Sequence, residues 1–361
     1  MNVKRNRAKT RSPSSGKEFA RPIRQESTPA PQVEIEKTVS ELPSPEETLS
    51  LIRQLQELRQ SCVLAFVTSP DVAVRGDVIE QIYEQLTNIG RVSQIDLFLH
   101  SAGGQTEIPW RLITLIRDFC DRFGVLIPSI AHSAATHIAM GADEIVMGPL
   151  SELGPVDPAR SHPLLPRLKE GDPPITVSVQ DLRHCVEFIK KELGNGASPE
   201  SLAQILAALF EHIHPLAVGA IQQSYELSRL ISRKALVTHM DPEADKERID
   251  QIVDAFSDEF FSHQYRIGWK EAKATGLAVT YASDDLWNVM WALYKTYRAY
   301  FALLRELPDN LAARPIVWID SLHERHILEE KFGLVQDQSG RSQSIGPKVS
   351  QWLVQTWMSN G

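Results

Sequence analysis

Apolar residues in this chain alternate between two rhythms, and their order predicts a layered α/β domain. Leu49, Ile52, Leu55 and Leu58 recur at spacing three, which makes one apolar face of a helix. Its start is marked by Ser44 as N-cap, Pro45 in the first turn and Glu47 closing a capping box. Residues 62–67 then run apolar without a break between Ser61 and Ser69-Pro70, the pattern of a strand buried on both faces. Val78, Ile79, Ile82, Tyr83 and Leu86 mark a second helix that stops at Gly90, and 95–99 is the next buried strand. The alternation continues with a helix over 108–123, a strand over 125–131, a helix over 133–141 and a strand over 144–147. Strands that alternate with helices imply right-handed crossovers and a mainly parallel sheet, in which ligands bind at the carboxyl ends of the strands.

Beyond Pro149 the texture changes. Six prolines make 150–174 a long irregular segment, and stretches of that length within a domain are commonly functional. Helical periodicity returns over 179–193, 199–210, 216–237, 242–256 and 286–307. The last fifty residues carry a weaker pattern: a strand at 316–319, a helix near 322–332 and a Gly/Ser/Gln-rich turn at 337–346. The organisation expected is a basic tail over 1–43, one catalytic-type domain with a helical extension over 44–280, and an accessory region over 281–361.

Composition narrows the class. With 42% apolar and 23% charged positions in 361 residues, the chain can bury one large core or two ordinary ones. Charge is uneven: residues 1–25 hold eight Lys/Arg against Glu18 alone, +7 within a total of -8, so the remainder carries -15. An acidic body argues against nucleic-acid binding by the folded domain, which would need a basic face. The Ser/Pro/Lys/Arg-rich start lacks apolar periodicity and reads as a flexible tail. Cys62, Cys120 and Cys185 lie far apart, with no paired spacing for a disulfide framework or zinc knuckle. Neither a signal-peptide core nor an apolar run of spanning length is present, so a cytoplasmic protein without membrane partner, metal or cofactor is expected.

Chemistry concentrates in 95–148. Ser133 falls where an apolar strand hands over to a helix, with the small Ala134 and Ala135 beside it. A serine nucleophile needs exposure at a turn, backbone donors for the oxyanion and a base. The Ala134 amide at the helix N-terminus is one natural donor. Gly103-Gly104, after the preceding strand, can supply the other, because glycine allows a turn that brings backbone N–H close to a substrate carbonyl.

The stretches HSAGGQTEIPWRLITLI and IPSIAHSAATHIAMGADEIVMGPLSELGPVDP, with HPLAVGAIQQSYELSRLISRKAL and SHQYRIGWKEAKATGLAV, resemble the serine dehydrogenase proteinase family. That family is a branch of the ClpP and signal-peptide-peptidase clan of serine peptidases, and the similarity covers roughly residues 51–279. In those relatives a Pro-Gly-Gly-type turn precedes the nucleophile by about thirty residues, as Gly103 precedes Ser133 here; Ala102 stands where they usually have proline. The resemblance implies a ClpP/crotonase-like fold, Ser133 as nucleophile, Gly104 and Ala134 (with Gly103) as oxyanion donors, a polypeptide substrate and a homo-oligomer.

The base is open at this level. Clp-type peptidases place a histidine about twenty-five residues after the serine, where this chain reads Pro155-Val156-Asp157-Pro158, with His162 nearest. Signal-peptide-peptidase relatives use a lysine, for which Lys169 falls in the right region and Lys190 and Lys191 follow. A lysine works as a base only where burial keeps it neutral. His137, one turn after Ser133, and His263, matching a family histidine, compete; His132 points away, and the i, i+2 pair His212 and His214 makes no metal site. Asp143-Glu144 reads as turn charge. Two other functions remain: a crotonase-like thioester enzyme using the same amides without the serine, and an oligomeric interaction protein whose site has decayed.

Overall fold

The computed structural model describes residues 44–193, 198–260, 262, 265–303, 313–336 and 342–357. The basic tail over 1–43 lies outside them. What is described belongs to one compact unit, Leu42–Gly361.

The capping signals act as expected. Helix α1 spans Pro45–Arg59, and the Glu47 amide donates to Ser44 Oγ at 3.3 Å. It leads into β1 (Cys62–Thr68), α2 (Val78–Ile89), β2 (Val92–His100), α3 (Ile108–Asp118) and β3 (Cys120–Ile127). A two-residue strand β4 (Ile130–Ala131), helix α4 (Ala134–Met140) and strand β5 (Glu144–Met147) follow. The helix expected over 108–123 therefore ends five residues early. Phe119, Cys120 and Phe123 fit either period, and pairing of Cys120 with Val92 in a parallel ladder decides for strand. The expected strand 125–131 is broken after Ile127, where Pro128 has no N–H to donate to a ladder.

The main sheet has eight strands, and the short strands β6 (Glu152–Leu153), β7 (Ala159–Ser161) and β8 (Thr176–Ser178) lie outside it. β1, β2, β3, β5 and β9 (Val279–Tyr281) run parallel in that order, and three antiparallel strands extend it beyond β1. These are β10 (Ala313–Asp320), β11 (Glu324–Gln336) and β12 (Ser342–Thr356). The fold is thus mixed α/β with a mostly parallel central sheet. One expectation needs correction. The helix near 322–332 is strand β11, whose alternating His326 and Leu328 are buried while its main chain pairs with β10 and β12. From the region 281–361, β10 pairs directly with β1 and continues the sheet. Of the turn expected at 337–346, residues 337–341 lie outside the described set and the rest opens β12.

Strand alternation sends side chains to two cores. Leu64, Phe66, Leu97, Leu99, Val125 and Ile127 pack beneath α2, α3 and α4, together with α7 (Pro215–Leu236) and α8 (Lys246–Asp254). Val63, Ala65, Val67, Phe98, Leu126 and Val146 face α1 and α10 (Asp284–Leu303) with Trp318. Both faces of the parallel strands are covered, which is why they read as unbroken apolar runs. The remaining helices are α5 (Val179–Leu193), α6 (Pro199–His212) and α9 (Trp269–Ala274), with a single π-helical turn, Ala255–Glu259, continuing α8. Among the described residues no single helix is long and apolar enough to cross a membrane. The pair Ala203–His212 and Pro215–Leu236, bent by 95°, meets that standard only when taken together.

Candidate active site

Three strand-end loops converge on a cleft of about 350 Å³. Pro70–Ala73 follow β1, Ala102–Gly104 and Thr106 follow β2, and Ser133 follows β4; Pro158 and Ala159 close the far side. The parallel sheet thus brings its ligand-binding end to bear on Ser133.

Ser133 adopts φ 51° and ψ -114°, a conformation L-residues rarely take. Among the described non-glycine residues only Gln60, which caps α1, shares a positive φ. Ser133 does not cap its own helix through the side chain, although its carbonyl accepts from the His137 amide at 3.2 Å. The hydroxyl is left at the cleft. Ala134 follows as the first residue of α4, so its amide has no intrahelical acceptor.

Gly103 is pressed against this turn. Its φ is +103°, and a Cβ there would stand 2.7 Å from the His132 carbonyl oxygen and 2.8 Å from Ser133 Cβ. Only glycine meets both conditions. The two neighbouring amides are already used: Gly103 N–H donates to Ser101 Oγ at 3.1 Å, and Gln105 N–H donates to the Val74 carbonyl at 2.9 Å. The Val74 amide in turn donates to the Gly103 carbonyl at 2.8 Å. The Gly104 amide has no acceptor among the described residues. Backbone at Val74 crowds Gly104 so closely that a Cβ would lie 2.3 Å from it.

Residues that sequence reasoning passed over support these turns. Thr68 Oγ1 donates to Ser101 Oγ at 3.0 Å, which holds the first turn from β1. Thr136 Oγ1 reaches the Ala131 carbonyl at 2.7 Å and the Gly154 carbonyl at 2.8 Å, fastening the irregular segment to the serine's helix. Ser228 on α7 bonds the Val156 carbonyl at 2.5 Å and meets His137 Nε2 at 3.1 Å. None carries a local motif; only alignment of the strand ends exposes them.

The candidate bases stand as follows. Lys169 is exposed in a turn, its carbonyl accepting from the Asp172 amide at 3.1 Å, and it is not among the cleft residues. Lys191 is exposed on α5. His263 lies outside the described residues; its neighbour Ser262 lines a second cavity next to the cleft. His137 is wholly buried against Ser228, and burial pushes its imidazole down to about 4. His132 Nε2 is 3.8 Å from the Glu152 carboxylate. Asp71, in the cleft wall, is pushed up by burial, yet the Ser69 hydroxyl and Arg314 guanidinium outweigh this and hold its carboxyl below the ordinary range. Among the described residues no group of three or more His, Cys, Asp or Glu side chains is placed to hold a metal ion.

No protein-family model matches the chain. Two uncharacterised proteins of Methanocaldococcus jannaschii are similar to it. One is 25% identical over 157 residues, 39% of this chain, and the chain spans only about half of that relative's length, 54%. The other is 21% identical over 260 residues, 68% of this chain and 78% of the relative. Among solved structures, a serine-to-alanine mutant of the 1510-N membrane-bound stomatin-specific protease is similar at 12% identity and TM-score 0.34, covering 62% of this chain and 81% of that one. ClpP1 from Listeria monocytogenes is similar at 14% identity and TM-score 0.28 (66% and 98%). Methylmalonyl CoA decarboxylase complexed with 2S-carboxypropyl CoA is similar at 14% identity and TM-score 0.23 (56% and 89%). Similarities of this size assign no activity, so function has to be argued from the site.

Proposed function

We propose that this chain is a serine peptidase or closely related hydrolase that forms an acyl-enzyme at Ser133. The observation that carries the reading is the strained Ser133 backbone at a strand-to-helix turn, in the same cleft as the Gly103-Gly104 turn. A serine held at φ 51° costs the fold stability and gains no cap bond, which is the kind of strain that persists where exposure of a hydroxyl is required.

In this mechanism Ser133 Oγ attacks a peptide carbonyl carbon and passes its proton to a base. The carbonyl oxygen becomes an oxyanion between the Gly104 and Ala134 amides, and the intermediate collapses as the protonated base gives that proton to the departing amine nitrogen and the C–N bond breaks. Water then releases the acyl group by the same path in reverse order. One such donor is worth about 3 kcal/mol at the transition state. The base is a neutral lysine or a histidine, with Lys169 and His263 the candidates. Lys169 serves only if the segment that carries it folds over the cleft, because an exposed ammonium stays protonated. The substrate is a short or unfolded polypeptide, since the cleft lies between loops, and the working form is a homo-oligomer.

The test is reaction with a fluorophosphonate probe, with the labelled peptide found by mass spectrometry. Labelling at Ser133, and peptide turnover that Ser133→Ala abolishes, support the reading. An unlabelled Ser133 together with turnover that survives Ser133→Ala overturns it. Lys169→Ala and His263→Ala, assayed for labelling rate, then separate the two bases.

A further inference from the structure

A second cavity, of about 200 Å³, opens beside the Ser133 cleft, and Ala159 lines both. Its walls come from the irregular segment (Pro155, Asp157), the start of α5 (Gln180, Asp181, His184) and the π-helical turn (Phe256, Ser257, Asp258). Single π-turns of this kind are rare and gather at functional sites.

Two polar atoms in this wall are buried without a hydrogen-bond partner among the described residues: Asp157 Oδ1 and Ser257 Oγ. Asp157 is 6% exposed and Ser257 is 3% exposed. A buried carboxylate oxygen left unsatisfied is costly, and natural proteins keep such groups where something else completes them. Three aspartates line the cavity, and among the described residues that line it none is a lysine or arginine. The positive charge nearby is already committed, because Arg183 and Arg229 pair with Asp258 at 2.8 and 2.9 Å. Burial, with Asp181 and Asp258 adding repulsion, pushes the Asp157 carboxyl up to about 6 against the opposing Ser178 hydroxyl and Arg183. Phe256 and Phe260 supply apolar wall for a carbon stem.

We propose that this cavity receives a lysine or arginine side chain of the polypeptide substrate, with Asp157 as the residue that selects it. The proposal rests on the peptidase reading of Ser133 for its substrate class, while the cation site itself stands on the cavity. An ammonium or guanidinium would donate to Asp157 Oδ1 and Ser257 Oγ while its stem lies along the two phenylalanines. The Thr136 and Ser228 contacts that fasten residues 154 and 156 keep this pocket at a fixed offset from the serine.

The test uses the full chain and two small cations, agmatine and n-butylamine, titrated by calorimetry. One should bind at one site per chain, and agmatine against butylamine tells arginine from lysine. Asp157→Asn should weaken that binding about tenfold or more, as expected for loss of a charge-assisted bond. Ser257→Ala should weaken it several-fold, and serves if the first variant fails to fold. In parallel, the ratio of cleavage of Lys- or Arg-containing peptides to norleucine analogues should fall at least tenfold in Asp157→Asn. Absence of binding by both cations, or equal binding by the wild type and both variants, overturns the pocket. Labelled Ser133 without cation binding overturns the pocket and keeps the nucleophile. Cation binding with an unlabelled Ser133 and turnover that survives Ser133→Ala removes the peptidase reading and keeps a cation site.

Discussion

Replacing Ser133 by glycine and, separately, by alanine isolates the strain in its backbone. Both variants lack the hydroxyl, so differences in side-chain hydrogen bonding cancel and the comparison reads the Cβ alone. A non-glycine residue at φ 51°, ψ -114° costs of order 1–3 kcal/mol. Glycine removes that cost but makes the unfolded chain more flexible, a loss of about 0.4–1 kcal/mol. Ser133→Gly should therefore be more stable than Ser133→Ala by about 1 kcal/mol. With an m-value of about 3 kcal/mol/M in urea, the midpoint should move up by about 0.3 M. Equilibrium unfolding followed by circular dichroism measures it, and neither variant should react with fluorophosphonate. A glycine variant whose midpoint is equal to or below that of alanine would refute the claim that the serine is held against its backbone preference.

Gly103→Ala should cost about 2 kcal/mol or more and abolish labelling of Ser133, because the new methyl group meets the His132 carbonyl and Ser133 Cβ while the backbone is held at φ +103°; retained labelling at wild-type rate would contradict the packing. Stability should also depend on acid. Burial, with the His132 ring adding, pushes His100 down to about 3, and burial pushes His137 down to about 4. Unfolded histidines titrate near about 6.5, so the unfolded state takes up the protons first. Stability should fall as pH drops from about 6.5 toward 4, at up to about 1.4 kcal/mol per pH unit for each histidine, with proton uptake by folded Asp157 below about 6 offsetting part of the loss. His100→Phe, which preserves the ring contacts with Tyr294 and Phe301, should flatten that profile in urea titrations at pH 5 and 7.5.

Much of the parallel core was legible in the sequence because burial on both faces leaves short apolar runs with sharp polar ends. The strand at 144–147 and the cap at Ser44 were found to the residue for that reason. Residues 119–123 and 322–332 were misread because their apolar spacing satisfies both periods, and the choice rests on partners far away in the chain. The place of β10 in the sheet is hidden from the sequence on the same ground, since its pairing with β1 joins residues some 250 positions apart. At the site, local signals picked out Ser133 and Gly103-Gly104, whose constraints are written in their own residue types. Asp157 and Ser257 carry no local signal, because what distinguishes them is burial without a partner.

The Gly103-Gly104 turn is held by main chain on both sides: Val74 donates to Gly103 and accepts from Gln105. No side chain at 102 or 105 enters those bonds and both residues are exposed, so their identities are free to drift while the donor geometry is kept; Val74 is held to an apolar residue by its place in the core. Ala102 in place of the proline usual among the resembling peptidases is a substitution the turn does not register. A homologue could therefore look unlike this chain around residue 102 and still present the same amide, provided it kept glycine at the two positions where a methyl group has nowhere to go.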